Sequence, residues 1–386
     1  MRILHVISGL DPANGGPTVA LVGLAEAQAR AGLAVSVLAT YQNETGFPVA
    51  GRLRAAGVAV ELIGPATGKL SRHPQLATAV DAAVASADVV HVHALWEDVQ
   101  HRAMKSAARQ RVPYVVTPHG MLSPWSFASG GLANRLGKRA YLALRLGPNL
   151  SRAAALHFTT TAERDLVARL KLNRPTIVEP VGIDLAEFAD LPPPAAFRAT
   201  HPELGNDPIV LFLSRLSPQK GLDVLIPAFA KIAPHTRANL VLAGPDRDGY
   251  EPTVRALVRA ANLEHRVTFT GMLHGQDRIA ALTAADLFVL PSHHENFGIV
   301  VAEAMAAGTP VIVSREVNAW PDVVEANAGA VIPPRDPVAL AEGMTAWLHD
   351  PERRRTAGTA GRAYALAHYG WDGIARHWVD HYQALR

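Results

Sequence analysis

Short apolar runs alternate with helical stretches along nearly the whole chain, and this alternation leaves few folds open. "RILHVIS", "LAVSVLAT", "VAVELIG", "DVVHVHA", "VPYVVTP" and "AALHFTT" read as strands, separated by segments of helical pattern such as "TVALVGLAEAQARAG". Strands of continuous apolar character between helices form a mostly parallel sheet that is buried on both faces. The rhythm breaks in the proline-rich stretch "DLPPPAAFRATHPELGNDP". It then restarts with "IVLFLS", "NLVLAG", "RVTFTG", "DLFVLPS", "TPVIVS" and "GAVIPP". The expectation is an α/β chain of two doubly wound, Rossmann-like domains joined near residue 187. A length of 386 residues agrees with two cores rather than one.

Composition narrows the function classes. The chain has no cysteine, which excludes disulfides and thiolate metal sites and fits a reducing compartment. "MRILHVIS" opens directly as a strand, without the longer apolar stretch of a signal peptide, and no uncharged apolar run reaches about 18 residues. A cytoplasmic location is expected. The net charge is +3, the one dense basic run is "PERRR", and no RNA or DNA motif is present, so nucleic acid is not an expected partner.

Ligands of doubly wound sheets bind beyond the carboxyl ends of the strands. There lies "PSHHENFGIVVAEAMAAGTPVIVS", a strand end, a helix and a second strand, with Asn296 expected as the helix N-cap and Gly308 and Pro310 as its stop. Glu295 falls in the loop before the helix and Glu303 about two turns inside it. Between them stand the free N–H groups of Phe297, Gly298 and Ile299, at the positive end of a helix dipole, with no side chain on Gly298 to block a phosphate. An acid, an anion nest and a second acid in line suit a nucleotide sugar, which has hydroxyls at both ends and phosphates between. The spacing alone is common on solvated helices, but Glu303 stands among small apolar residues, where an ionised group requires a partner or a cleft.

Other strand ends add to the set. "LSRLSPQKGLDVLIPAF" brings Arg215 and Lys220, one of only six lysines, to a single loop, where two cations would neutralise a diphosphate. "LAGPD" and "FTGMLHGQD" place Gly244 and Gly271 where backbone groups could face a nucleobase. The first loop, "SGLDPANGGPT", carries Gly15 and Gly16 but is not a dinucleotide-binding fingerprint. "TPHGM" exposes His119 at a strand end. His91 and His93 share one strand face and read as packing at the sheet end, so no metal site is expected.

Taken in order, Arg215 and Lys220, "LAGPD", "TGML" and "HENFGIVVAEAMAAGTPVI" resemble the retaining glycosyltransferases of family 4. The likeness runs through both halves of the chain. It implies the GT-B architecture, two Rossmann-like domains facing a cleft: residues 1–186 binding the acceptor, with a C-terminal helix over 368–386 crossing back, and residues 187–367 binding the nucleotide sugar. By that resemblance, Arg215 and Lys220 would hold the donor diphosphate, and Glu303 and Glu295 the ribose and transferred-sugar hydroxyls. The N–H groups of Phe297 and Gly298 would meet the distal phosphate, with Gly16 on the phosphate side. His119 would lie near the reaction centre, and Met272 would offer its backbone to the base. Where relatives carry a Gly-Gly-x-x-Glu stretch this chain has "REVNAWPDVVE".

The activity so implied is retaining, metal-independent transfer of a hexose from a nucleotide-diphosphate sugar, without a cofactor. The cations and helix entrance would stabilise the leaving diphosphate. Two other readings share the fold: a nucleotide-sugar epimerase and an inactive nucleotide-sugar-binding scaffold. The acceptor is expected to be a saccharide, lipid-linked, in surface-polysaccharide assembly. "GLANRLGKRAYLALRLG" reads as a basic amphipathic helix carrying Arg135, Lys138 and Arg139. It follows the loop of Trp125 and Phe127 and suits an anionic membrane at the inner face of the cell.

Overall fold

The computed structural model describes residues 1–12, 15–128 and 131–386. Ala13 and Asn14 of the first loop, and Ser129 and Gly130 of the aromatic loop, lie outside the described residues. The chain forms two compact units, Met1–Gly182 with Trp371–Arg386, and Ile183–Gly370. The proline-rich stretch that breaks the sequence rhythm is folded into the second unit, with Phe197 buried and stacked on His201 at 4.3 Å.

In the first unit the strands are β1 (Arg2–Ile7), β2 (Ala34–Thr40), β3 (Ala59–Ile63), β4 (Val89–His93), β5 (Tyr114–Thr117), β6 (Ala155–Phe158) and β7 (Thr176–Val178). They pair in parallel in the order β3-β2-β1-β4-β5-β6-β7. Six of these strands coincide with the apolar runs of the sequence. The seventh, β7, is a partly exposed edge strand too short for a hydrophobic period to register. The second unit holds β8 (Ile209–Leu213), β9 (Asn239–Ala243), β10 (Val267–Gly271), β11 (Leu287–Leu290), β12 (Val311–Ser314) and β13 (Gly329–Ile332), parallel in the order β10-β9-β8-β11-β12-β13. In each sheet the strand order reverses direction, at β1/β4 and at β8/β11, and the loops leaving those strands diverge to open a crevice.

The last helix, Trp371–Ala384, belongs to the first unit and covers one face of its sheet. Trp378 and Tyr382 are wholly buried against Ile3, Leu24, Val89 and Val115. Gly23 and Gly182 abut the Trp371 ring so closely that a Cβ on either would collide with it. Trp378→Ala removes the largest fully buried side chain of this layer. The expected loss is about 3–5 kcal/mol of first-unit stability, read as a lower urea midpoint by far-UV circular dichroism.

Candidate functional site

Both crevice-forming strands of the second sheet deliver the residues singled out in the sequence. After β8 the chain turns through a 3₁₀ turn, Pro218–Lys220, into the helix Leu222–Ile232. Gly221, with φ 75°, allows the turn to lie against the carbonyl of Pro291, where any Cβ would clash. That contact brings the loop after β8 against the loop after β11. Lys220 is consequently buried, and its ammonium donates to the carboxylate of Glu295.

The segment "REVNAWPDVVE", where the sequence departs from the family it resembles, holds the backbone of Glu295. Glu295 N donates to Glu316 O at 2.9 Å and Asn318 N donates to Glu295 O at 3.0 Å. The helix that follows is Ile299–Ala306, and its N-cap is Gly298 in the left-handed region, φ 79° and ψ 63°, rather than Asn296. A left-handed residue turns the chain sharply into the helix, and glycine takes that conformation at least cost, which outweighs the side-chain cap that asparagine would supply. Glu303 therefore lies about one turn inside the helix, not two. Phe297 is buried at the entrance and meets Tyr369 edge-on at 5.7 Å, while the Tyr369 hydroxyl donates to Asp322 at 2.6 Å.

Glu303 is buried and accepts from Arg278, whose guanidinium also reaches Glu187. Burial pushes the Glu303 carboxyl up to about 7, against the attraction of Arg278. Arg278 and Glu187 were not apparent in the sequence. They lie 25 and 116 positions from Glu303, with no periodic relation to it. Arg215, Gly244, Met272, Arg278, Glu187 and Glu303 line one cavity of about 380 Å³. Arg215 is exposed on its wall, and among the described residues no carboxylate pairs with it. Gly244 is required there: its φ is 143°, and a Cβ would strike the backbone of Ser214.

In the first unit, Gly15, with φ 74°, caps the helix Gly16–Arg30, and the space beside both glycines is open. His119 follows β5 with φ 50°, half-buried. Its turn is held by Glu163, a buried carboxylate that accepts from Gly120 N at 2.7 Å. His91 and His93 stack at 4.4 Å on one strand face, and with His5 they bring ring nitrogens within 4.8 Å of one another. All six nitrogens already have hydrogen-bond partners, so packing accounts for the cluster. A polar cavity of about 230 Å³ lies beyond β1, β2 and β4, lined by Ser8, Asp11, Thr40, Gln42, Lys69 and Glu97, none of which was singled out in the sequence. Burial raises the Glu97 carboxyl.

The basic segment is helical over Leu132–Tyr141 and continues through a π-helical turn, Leu142–Leu146. Leu136, Leu144 and Trp125 are exposed, as are Arg135 and Arg139. Lys138 turns inward instead, donating to Ser126 O at 2.7 Å with its ammonium 5.9 Å from the Trp96 ring. Phe127 is half-buried against Trp96, not exposed.

Two doubly wound units, with acids, cations and a helix entrance at the carboxyl ends of the second sheet, define an α/β protein of the GT-B fold. Anabaena HepE in complex with UDP superposes with a TM-score of 0.80 at 22% identity over 100% of both chains. Sucrose-phosphate synthase from Thermosynechococcus elongatus gives 0.77 at 25% identity, over 100% of this chain and 99% of that one. Residues 15–182 match the glycosyl transferase 4-like domain and residues 195–364 the glycosyl transferases group 1 domain. The chain belongs to the family 4-like glycosyltransferases.

A GDP-mannose-dependent monoacylated alpha-(1-6)-phosphatidylinositol monomannoside mannosyltransferase of Corynebacterium glutamicum is 37% identical over 204 residues, 50% of this chain and 52% of that protein. A D-inositol 3-phosphate glycosyltransferase of Xylanimonas cellulosilytica is 31% identical over 307 residues, 76% of this chain and 71% of its own length. The chain spans about half the length of the curated relatives that match it first, between 47% and 52%.

The Glu303–Arg278 pair makes a pH-dependent prediction. A carboxyl raised in the folded state binds more protons there than in the unfolded chain, so its burial costs stability as pH rises from the ordinary glutamate range through about 7. Arg278→Leu removes the attraction that opposes this cost. Its destabilisation, read by thermal melting, is expected to be small near pH 5 and about 3 kcal/mol near pH 8.

Proposed function

We propose that the chain is a retaining glycosyltransferase that moves a hexose from a nucleotide-diphosphate sugar to a saccharide acceptor, lipid-linked, in surface-polysaccharide synthesis. The observation that carries this reading is the grouping of Arg215, Gly244, Met272 and Glu303 around one cavity, with Lys220 and Glu295 joined in the neighbouring loop. Breaking the sugar–phosphate bond leaves charge on the diphosphate. Arg215, Lys220 and the N–H groups at the Gly298 cap are the donors for that charge, and they supply it without a divalent ion. Glu303 takes the ribose hydroxyls and Glu295 the sugar hydroxyls. Each carboxylate is already oriented by a cation, so each meets the donor with its geometry set. The polar cavity of the first unit, with Asp11, Gln42 and Glu97, fits a hydroxyl-rich acceptor.

The names of the relatives agree with both halves of the proposal, since they include transferases that use GDP-mannose and act on phosphatidylinositol monomannosides. A lipid-linked acceptor requires the enzyme at a membrane surface. No helix among the described residues is long and apolar enough to cross one. The exposed face with Leu136, Leu144, Trp125, Arg135 and Arg139 provides peripheral attachment, with apolar groups entering the interface and arginines meeting anionic headgroups.

A thermal-shift screen of UDP- and GDP-sugars tests the donor. A ligand at about 100 times its dissociation constant adds about 2.7 kcal/mol of apparent stability, and a screen in which no nucleotide sugar raises the melting temperature would end the proposal. With the donor in hand, turnover is expected to persist in excess EDTA. Lys220→Ala should lower kcat by about a hundredfold while leaving the circular dichroism spectrum intact. For the membrane, cosedimentation with anionic vesicles should fall when Leu136, Leu144, Arg135 and Arg139 are replaced together by serine. Equal recovery of both proteins in the supernatant would favour a soluble acceptor.

A further inference from the structure

Within the first unit, five histidines, a threonine, a glutamine and a tyrosine form one continuous chain of hydrogen bonds, buried except at the half-buried His119. His5 pairs in register with His91, and His93 with Thr117, so the groups lie in a row across β1, β4, β5 and β6. Tyr382 of the last helix and Gln28 of the helix Gly16–Arg30 close over them.

The polarity of this chain follows from one atom, the carbonyl oxygen of Glu179, which can only accept. His157 Nε2, 2.9 Å from it, must carry a proton. Its Nδ1 then has the lone pair and accepts from the Thr117 hydroxyl at 2.7 Å. Having donated there, Thr117 accepts from His91 Nε2 at 2.7 Å, and His91 Nδ1 accepts from the Tyr382 hydroxyl at 2.6 Å. The Tyr382 oxygen in turn accepts from Gln28 Nε2 at 3.2 Å, which turns the amide oxygen toward His5 Nε2 at 2.7 Å. His5 donates there and accepts at Nδ1 from His93 Nε2 at 2.9 Å; His93 Nδ1 accepts from His119 Nε2 at 3.2 Å.

A neutral imidazole has one donor and one acceptor, so in this direction every internal link of the chain joins a donor to an acceptor, and the chain ends on the His119 Nδ1 lone pair. The reverse direction sets a lone pair of His157 against the Glu179 carbonyl. Burial keeps the rings neutral, pushing His5 and His157 down to about 4 and His119 to about 3, with His91 and His93 also well below the ordinary value. The Glu179 carboxylate is engaged elsewhere, by His377 Nδ1 at 2.8 Å and His381 Nε2 at 3.4 Å.

We propose that this one-way chain is a tautomer lock, in which Thr117, Tyr382 and Gln28 transmit the polarity of the Glu179 carbonyl to His119. The chain thereby fixes a proton on His119 Nε2, and in the neutral ring this leaves the lone pair on Nδ1, a hydrogen-bond acceptor for a substrate hydroxyl. Thr117, Gln28 and Tyr382 are positioning residues. The inference rests on the transferase reading only in giving His119 a substrate to meet.

The test is spectroscopic and does not depend on activity. Protein labelled with ¹⁵N-histidine is examined at neutral pH by long-range proton–nitrogen correlation, with single His→Gln variants assigning the five rings. Each is expected to show a proton on Nε2 and an unprotonated Nδ1; a proton on His119 Nδ1, or a charged His119 ring, overturns the lock. Tyr382→Phe deletes the hydroxyl that orients Gln28, after which both amide orientations satisfy His5 equally well. In this variant His119 is expected to pass to a mixture of tautomers, although it does not touch Tyr382. An unchanged His119 spectrum in folded Tyr382→Phe overturns transmission, and should that variant fail to fold, the wild-type spectrum alone decides the assignment. If the transferase proposal fails while the spectra hold, the lock stands as a property of the fold.

Discussion

A parallel sheet flanked by helices is closed to water on both faces, and this burial governs the chemistry in each unit. Polar groups can meet solvent or a ligand only at the strand ends, so Arg215, Lys220, Gly244, Met272, Glu295 and Gly298 are all found in loops that leave β8, β9, β10 and β11. Along the strands the same burial acts as a filter: a polar side chain persists there only when its hydrogen bonds are complete. The four histidines on the strands of the first sheet meet that requirement through His119, Thr117, Gln28, Tyr382 and the Glu179 carbonyl as well as through one another. The two units thus show the same constraint, as a site at the open end of one sheet and as a closed network inside the other.

Burial also explains which features were legible in the sequence. Twelve of the thirteen strands coincide with continuous apolar runs because both faces of the sheets are covered. The edge strand β7 was missed because three residues carry no period. The ends of helices were less legible. Asn296 has the side chain of an N-cap, but the sharp turn out of the Glu295 loop requires a positive φ, which gave the cap to Gly298. Pairing was the least legible of all. Lys220 and Glu295 could each be proposed from their own loops, but nothing in either loop states that they join across 75 residues. Arg278 carries no local mark of its role, since its significance comes entirely from the carboxylates that tertiary structure brings to it.

These pairs bear on recognition as well as stability. A buried ion pair gains little net stability, because desolvation offsets most of the Coulomb attraction. What Lys220 and Arg278 contribute to the folded state is geometry. Each holds a carboxylate in one orientation, so that the sugar and ribose of the proposed donor would lose less entropy in ordering it. Arg215 stands apart, exposed and without a carboxylate beside it among the described residues, which leaves its full charge for an incoming anion.

The two acids are consequently unlike each other, although the sequence presents them as a matched pair. Glu295 sits on a loop, its backbone bracketed by Glu316 and Asn318 and its carboxylate held by an ammonium. Glu303 is buried in the cavity wall, and burial pushes its carboxyl up to about 7. An ionised carboxylate accepts hydrogen bonds only, whereas a protonated one also donates. Near pH 7 Glu303 can therefore answer either a hydroxyl that donates or an oxygen that accepts, and Arg278, by favouring the ionised form, biases that choice. A diphosphate at the Gly298 cap, as the transferase proposal has it, would act in the opposite sense, because its negative charge raises the cost of a second anion about one turn away. On the proposed donor site, nucleotide-sugar binding and the protonation of Glu303 are coupled through the helix they share.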